Sequence, residues 1–308
     1  GYNVIISVER HKNRMNRRLL ITGAGGFLGS RICEYYSNRD GYEAVGVTHR
    51  ELDIEDFVAV SAFIKAIRPD YVLHCAAISN TGTCERNPVL SEKVNVRGTI
   101  NLAKACRNAG SRMIFTSSDQ IYNTSHSMEP NREGSEGKPG NVYGRDKKRA
   151  EEAMLTYLPD AVALRLTWMY DAPSRGRAAG QGLLQKLADA LKDRREVEFP
   201  VHDYRGITYV WEVVRHLEEA MGLPGGVYNF GSENRYNTFD TARLFLRELA
   251  GSDSGGILKR NDERFASCPR NLTMDTDKIK SYGIRFFNTS EGIRKCCIEH
   301  REMSRASC

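Results

Sequence analysis

The sequence predicts an α/β fold: a doubly wound parallel sheet with helices on both faces, followed by a smaller C-terminal lobe. Three observations carry that prediction. Short apolar runs alternate with segments of helical spacing from Arg18 to Tyr170, the pattern of a parallel sheet buried on both sides. Four glycines crowd into the seven residues from Gly23 to Gly29, between the first apolar run and the first helical segment. Beyond Trp168 the alternation becomes less regular and helical segments dominate.

Taken in order, "RLLIT" is the first strand, and the glycines open a helix running to about Asn38. "YEAVGVTH" is the second strand. "DIEDFVAVSAFIKAIRP" has helical spacing, with Asp53 as the expected N-cap and Pro69 as the stop. "DYVLHCAA" is the third strand, and "VLSEKVNVRGTINLAKACRNAG" is one helix ending at Gly110. "RMIFTSS" is the fourth strand, "NVYGRDKKRAEEAMLTYL" a long helix and "DAVALRLTWMY" the fifth strand. From Thr124 to Gly140 the chain is polar, rich in Gly, Ser and Pro and without period, which reads as a long surface loop of functional or mobile character. The second part holds helices in "GQGLLQKLADALKDR", "TYVWEVVRHLEEAM", "FDTARLFLRELAG" and "SEGIRKCCIEH", with "VYNFG" as a strand returning to the sheet.

With 308 residues, one large domain or two sharing a cleft are both allowed. A hydrophobic fraction of 40% and a charged fraction of 27% are ordinary for a folded chain. No apolar run reaches the ~18 residues that a membrane span needs. The opening "GYNVIISVERHKNR" is a poor signal peptide; it reads as an extension or as one marginal strand. Eight cysteines show no CxxC spacing and several sit in apolar runs, which argues for reduced thiols in the cytoplasm and against zinc. The net charge of +6 is spread along the chain, whereas nucleic-acid binding wants a denser basic stripe. A mild positive bias suits an anionic small ligand.

Gly23, Gly26 and Gly29 form G-x-x-G-x-x-G at the exit of a strand and the mouth of a helix. Glycine there permits a tight turn and close backbone approach to a pyrophosphate, whose charge the helix N-terminus favours. This is the context of a dinucleotide-binding Rossmann fold; an ordinary turn needing positive φ is the plainer alternative. About twenty residues on, such sites carry an acid for ribose hydroxyls or an Arg for a 2′-phosphate. His49 and Arg50 stand there, with Glu51 next. NADP is therefore the expected cofactor, and NAD stays open through Glu51. The expected organisation is an extension at 1–16, a dinucleotide-binding domain at 17–170 and a mainly substrate-binding lobe at 171–308.

Tyr143 and Lys147 lie at i and i+4, on one helix face. A nearby ammonium stabilises a phenolate and so makes a tyrosine useful in proton transfer; a surface pair is the plainer reading. Ser118 ends the fourth strand at the sheet edge where such folds bind ligands, and its hydroxyl could orient a carbonyl, with Ser117 and Thr116 as alternatives. Asn95 in "VNVRGT" either holds a kink and a water near the lysine or is exposed. Trp168 and the Tyr204–Tyr209 stretch could stack on a sugar or base, or be core. Arg165, Arg177 and Arg205 are candidates for diphosphate contacts.

In this order, "TGAGGFLG", "HCAA", "VNVRGT", "TSSD" and "YGRDK" resemble the extended short-chain dehydrogenase/reductase superfamily, with its NAD-dependent epimerases and dehydratases. "LRLTWMYD", "RGITYVWEVV", "GVYNFGSENRYNTFDTAR" and "PRNLTMDTDKIKSYGI" are similar to its dTDP-4-dehydrorhamnose reductase (RmlD-like) branch, and the resemblance runs from about Arg18 to His300. It implies a catalytic Ser118, Tyr143 and Lys147 supported by Asn95. It further implies cofactor contacts from Gly23, Gly26, Phe27, Leu28 and Gly29, from Asp53 and Ile54 at the adenine, from Ala76 and Ala77, and from Lys147 at the ribose. The implied reaction is hydride transfer from a nicotinamide to the carbonyl of a nucleotide-linked keto-sugar.

Two places depart from the pattern. Gln120 stands where dehydratases carry Glu and where the reductase branch carries an aromatic, so dehydration is disfavoured. "ISNTGTCERNP" departs from the branch's usual stretch after the paired alanines, so the exact sugar stays open. A sugar-nucleotide epimerase, or a regulatory subunit like that of methionine adenosyltransferase, are the alternatives to a reductase; a homodimer stays open. Replacing Arg50 by Ala is expected to weaken NADPH about tenfold, the order of one charge-assisted contact, and to spare NADH. Equal losses in parallel titrations would defeat the cofactor argument.

Overall fold

The computed structural model describes residues 16–172, 182–251 and 256–306. The N-terminal run "VIISV" and Arg177 lie outside them. Six parallel strands form the main sheet, and five of them come in succession between Arg17 and Leu166: β1 (Arg17–Thr22), β2 (Tyr42–Val47), β3 (Tyr71–His74), β4 (Arg112–Ser118) and β5 (Val162–Leu166). The sixth, Gly226–Phe230, returns to pair with β5. Across the sheet the order is Gly226–Phe230, β5, β4, β3, β1, β2. The order in which strands are added thus reverses between β1 and β3, and the crevice outside the carboxyl ends of those strands is where open α/β sheets take ligands.

The helices α1 (Phe27–Ser37), α2 (Phe57–Ile67), α3 (Thr81–Arg86), α4 (Pro88–Glu92), α5 (Thr99–Ala109) and α6 (Val142–Tyr157) connect these strands. Strand alternation divides the core between the two faces. Leu19 and Ile21 pack with Ile32 of α1 and Val213 of the Val210–Ala220 helix, whereas Leu20 packs with Ile64, Leu102 and Met154. A third apolar cluster joins Leu187, Phe199, Ile207, Phe245 and Ile293, bringing the Leu183–Asp193, Thr238–Ala250 and Thr289–Ala306 helices together. Among the described residues no helix is long and apolar enough to cross a membrane.

Four expectations need correction. Asp53 does not cap α2: Asp56 does, accepting the Val58 and Ala59 N–H groups at 2.9 and 3.1 Å, while Asp53 accepts Glu55 N–H in the turn before it. The helix expected over Val89–Gly110 is α4 and α5 joined by a π-turn at Lys93–Gly98. At Gly98 a Cβ would stand 2.6 Å from Ile54 Cδ1, so this segment packs tightly on the chain after β2. The fifth strand breaks at Thr167: its hydroxyl shares a 2.6 Å hydrogen bond with Thr208, and Trp168–Tyr170 pairs with Ile207–Tyr209 instead of the main sheet. Arg165 is no diphosphate contact. It is buried, with Nε and Nη2 donating to Glu151 at 2.9 and 2.7 Å and Nη1 donating to the Tyr122 hydroxyl at 2.7 Å.

The Thr124–Gly140 loop is pinned rather than loose: Asn131 is buried and donates to the carbonyls of Asn271 and Thr273 at 3.0 and 2.9 Å. Tyr122 extends the buried network by donating to Asn229 Oδ1 at 2.7 Å, and Ser117 donates to Glu151. Glu151 belongs to α6, so its pair with Arg165 of β5 sets how α6 lies against the sheet. Glu151→Ala strands a buried guanidinium, and its expected cost is about 3–5 kcal/mol of stability. Urea denaturation measures it; a loss below about 1 kcal/mol would show that the pair does not hold the helix.

Candidate active site

The glycine turn is shaped by backbone meeting backbone. Gly23 has φ 71°, and a Cβ there would lie 2.7 Å from Ala76 N at the end of β3. A Cβ on Gly29 would lie 2.1 Å from the Gly23 carbonyl oxygen. Side chains at either position would push β1, α1 and β3 apart. Gly26 is the extended N-cap of α1, with no side-chain cap and no acid in the first turn. The amino end of α1 therefore keeps its positive pole for an anion. These residues fit the pyrophosphate of a dinucleotide: the small turn allows close approach and no carboxylate of α1's first turn competes.

His49 and Arg50 are both exposed in the turn after β2. Glu51 is engaged there: its carboxylate accepts the Thr48 N–H at 2.7 Å and the Thr48 hydroxyl at 2.9 Å. Those bonds hold its pKa below the usual carboxylate value. The acid that kept NAD open thus closes its own turn, while the two basic side chains face solvent. Asp53 is exposed beside them and Ile54 is buried under the π-turn. Ala76 and Ala77 are half-buried at the end of β3, where Ala76 N–H donates to Thr22 Oγ1 at 3.3 Å.

A cavity of about 220 Å³ joins the two halves of the expected site. Gly23, Gly26, Phe27, Leu28 and Gly29 line one side, Ala77 another, and Thr116, Ser117, Ser118, Tyr143 and Lys147 the third. His49, Arg50, Asp53, Ile54, Ala76 and Asn95 are not in its wall. The first four belong to the turn that follows β2. Cys75, Ser79, Leu166, Thr167 and Met169 also line the cavity and were not singled out from sequence. The one legible signal is position: Cys75, Ser79, Leu166 and Thr167 end or follow strands at the carboxyl edge, whereas Met169 lies inside the Trp168–Tyr170 strand.

Lys147 is buried, and its Nζ donates to the Thr116 carbonyl at 2.8 Å. The ammonium lies 5.7 Å from the Tyr143 ring centroid and 4.6 Å from that of Phe115. Burial lowers its pKa to about 8, against the smaller opposing effects of Cys75 and Glu151. The Tyr143 phenol is buried too, and desolvation drives its pKa well up. The Ser118 hydroxyl is the group that favours the phenolate, while the Asp119 charge opposes it. Ser118 also accepts the Gln120 N–H at 3.1 Å. Of the three hydroxyls considered, Thr116 donates to the His74 carbonyl and Ser117 to Glu151, so Ser118 is the one beside the phenol.

Asn95 is neither exposed nor in the cavity wall. Its Oδ1 accepts Ile78 N–H at 2.9 Å, and its Nδ2 donates to Ile78 O at 3.0 Å and to Ser91 Oγ at 3.2 Å. Ser91 in turn donates to Asp146 of α6 at 2.6 Å. The side chain thus ties the segment after β3 to the helix that carries Tyr143 and Lys147. Trp168 is half-buried, with the Arg205 guanidinium 4.7 Å from its ring centroid. Among the described residues no group of three or more His, Cys, Asp or Glu is placed to hold a metal ion.

Comparison with known proteins matches residues 17–301 to the family model described as the RmlD substrate binding domain. A dTDP-4-dehydrorhamnose reductase of Mycolicibacterium smegmatis is 31% identical over 249 residues, 78% of this chain and 71% of that protein. Methionine adenosyltransferase 2 subunit beta of Xenopus laevis is 27% identical over 282 residues, 87% of this chain and 83% of that one. Among solved structures, a dTDP-4-dehydrorhamnose reductase of Bacillus anthracis in complex with NADP superposes with a TM-score of 0.83 at 21% identity, covering 92% of this chain and all of that chain (100%). The fold, the strand-to-helix glycine turn and the match across almost the whole described chain agree: this protein belongs to the RmlD substrate-binding-domain family.

Proposed function

We propose that the chain is an NADPH-dependent reductase of a nucleotide-linked keto-sugar, with dTDP-4-dehydrorhamnose-type reduction as the reading its relatives favour. One observation carries the proposal: the glycine turn and the Ser118, Tyr143 and Lys147 side chains line the same cavity at the switch point of the sheet. A fold that only scaffolds a partner has no need to converge a phenol, a hydroxyl and a buried ammonium on that crevice. In this reading residues 17–170 bind the dinucleotide and residues 171–308 mainly meet the sugar nucleotide, in the cytoplasm.

The dinucleotide, when bound, supplies the hydride. Gly23, Gly26 and Gly29, with Phe27 and Leu28, hold its pyrophosphate on the amino end of α1. His49 and Arg50 receive the 2′-phosphate, Asp53 and Ile54 the adenine, and Ala76 and Ala77 flank its path. Ser118 donates a hydrogen bond to the substrate carbonyl oxygen and orients it. Tyr143 gives that oxygen its proton as negative charge builds there. The buried phenol is the right donor, because desolvation keeps it protonated until an oxyanion arrives. Lys147 lies mostly as the ammonium at neutral pH, anchored on Thr116, where it holds ribose and offsets charge on the phenol. Asn95 acts through α6 and the Ile78 segment and holds the array in place.

Tyr143→Phe removes the transferable proton and little else. NADPH affinity should stay near wild type by fluorescence titration, while kcat for keto-sugar reduction should fall by about 10²–10⁴, the range of general acid catalysis. Near-normal turnover would refute the role. Stoichiometric NADPH oxidation distinguishes a reductase from an epimerase, which isomerises the sugar with no net cofactor change.

A further inference from the structure

Next to Ser118, at the end of β4, stands a carboxylate that the proton-transfer chemistry does not use. Asp119 is 2% exposed, and a buried carboxylate is costly unless a cation meets it. Its cation comes from far along the chain. Arg205 Nη2 donates to the two Asp119 carboxylate oxygens at 3.1 and 3.4 Å, and the same guanidinium covers the Trp168 ring at 4.7 Å.

The backbone carrying Arg205 has little freedom. Its carbonyl accepts Asn234 Nδ2 at 2.9 Å, and a Cβ on Gly206 would lie 2.2 Å from the Ser232 carbonyl oxygen. With the main chain so held, the direction of the guanidinium is set by the carboxylate at one side and the indole at the other. A second ion pair adjoins the first: Arg270 donates to Asp203 at 2.7 and 3.1 Å, and Thr238 donates to Asp203 at 2.9 Å. Burial pushes the Asp119 carboxyl up overall; Arg205 and then Arg270 favour its ionised form, and Asp203 opposes it. Two carboxylates and two guanidiniums therefore balance one another beneath the catalytic edge.

We propose that Asp119 is a positioning residue: its buried carboxylate holds the Arg205 guanidinium over Trp168 and so fixes the segment whose Thr167 and Met169, on either side of that indole, line the compartment with Ser118 and Tyr143. The same pair shields the phenol. Facing the Tyr143 hydroxyl are Ser118 and Asp119 from the end of β4 and Cys84 from α3, with Lys147 on its own helix. The Asp119 charge works against ionisation of the phenol, and Arg205 offsets that charge. Removing one partner or the other should then move the phenol in opposite directions, which a mere loss of packing would not do.

The test uses the full chain and two independent readouts; only the kinetic one rests on the reductase reading. The chain has two tryptophans, so in a Trp211→Phe background Trp168 reports alone. Asp119→Asn and Arg205→Gln should each shift its emission and raise its quenching by acrylamide. In NADPH-dependent reduction of a keto-sugar nucleotide, both variants should raise KM about tenfold, the order of one charge-assisted contact, with a smaller change in kcat. The alkaline limb of kcat/KM, which reports loss of a proton from the Tyr143–Lys147 pair, should move down in Asp119→Asn and up in Arg205→Gln, by on the order of one pH unit, because either charge acts with the same sign on both groups. The Asp119→Asn/Arg205→Gln double variant should bring the limb back toward wild type. Unchanged Trp168 emission and quenching in cooperatively melting Asp119→Asn would overturn the proposal, as would limb shifts of the same sign in both single variants. Should Asp119→Asn fail to fold, Arg205→Gln gives the same Trp168 readout from the other partner. Absence of turnover by wild type on any keto-sugar would defeat the reductase reading alone, since the Trp168 arm still decides this one.

Discussion

The contact between Gly23 and Ala76 carries the rest of the site. There the turn after β1 lies directly on the end of β3, with no room for a side chain between the two backbones. Because β1 and β3 neighbour each other at the point where the strand order reverses, this contact decides how wide the ligand crevice is. It also aims α1, whose amino end opens into that crevice without an acidic residue to occupy it. A larger residue at Gly23 would need positive φ as well as space, and would meet main chain rather than a movable side chain.

The other wall is a problem of placing one helix. Tyr143 and Lys147 can face the cavity only if α6 keeps its rotation and depth against β4 and β5. Two buried polar systems do this from opposite sides. Arg165 and Ser117 grip Glu151 from the strands beneath, and Asn95 with Ser91 grips Asp146 from the π-turn. Neither would be favourable if left half-made, because a buried charge or amide without its partner costs more than the pair contributes. That demand for completeness is what makes the arrangement specific. The Ser118 hydroxyl beside the phenol and the Ser117 hydroxyl bonded to Glu151 are adjacent in sequence yet serve opposite faces of β4, as strand alternation requires.

Electrostatics at the site follow from burial more than from the Tyr–Lys spacing. The i, i+4 relation does bring the ammonium near the phenol ring, but desolvation dominates both groups, lowering the lysine and raising the tyrosine. Ser118 eases the phenol, while Asp119 and then Cys84 add to its burden. A site of this kind holds its proton firmly when at rest.

Much of this was legible in the sequence because local rules govern it. Alternation of apolar runs and helical spacing identified the parallel sheet, Gly23, Gly26 and Gly29 marked the turn, where Gly23 and Gly29 leave no room for a side chain, and Gly110 marked the end of α5. The order of short motifs placed the family. Tertiary structure alone decided which Asp caps α2, since Asp53 and Asp56 are chemically equal and only the packing of the preceding turn selects one. It also decided that the chain leaves the sheet at Thr167, through a hydroxyl of Thr208 some forty residues away. Arg165 and Arg205 look alike as isolated cations; one is an internal partner of Glu151 and the other reaches Asp119, just past the end of β4. Sequence specifies what each residue can do within its own turn or strand. Which partner a long charged side chain meets depends on segments brought together only by folding.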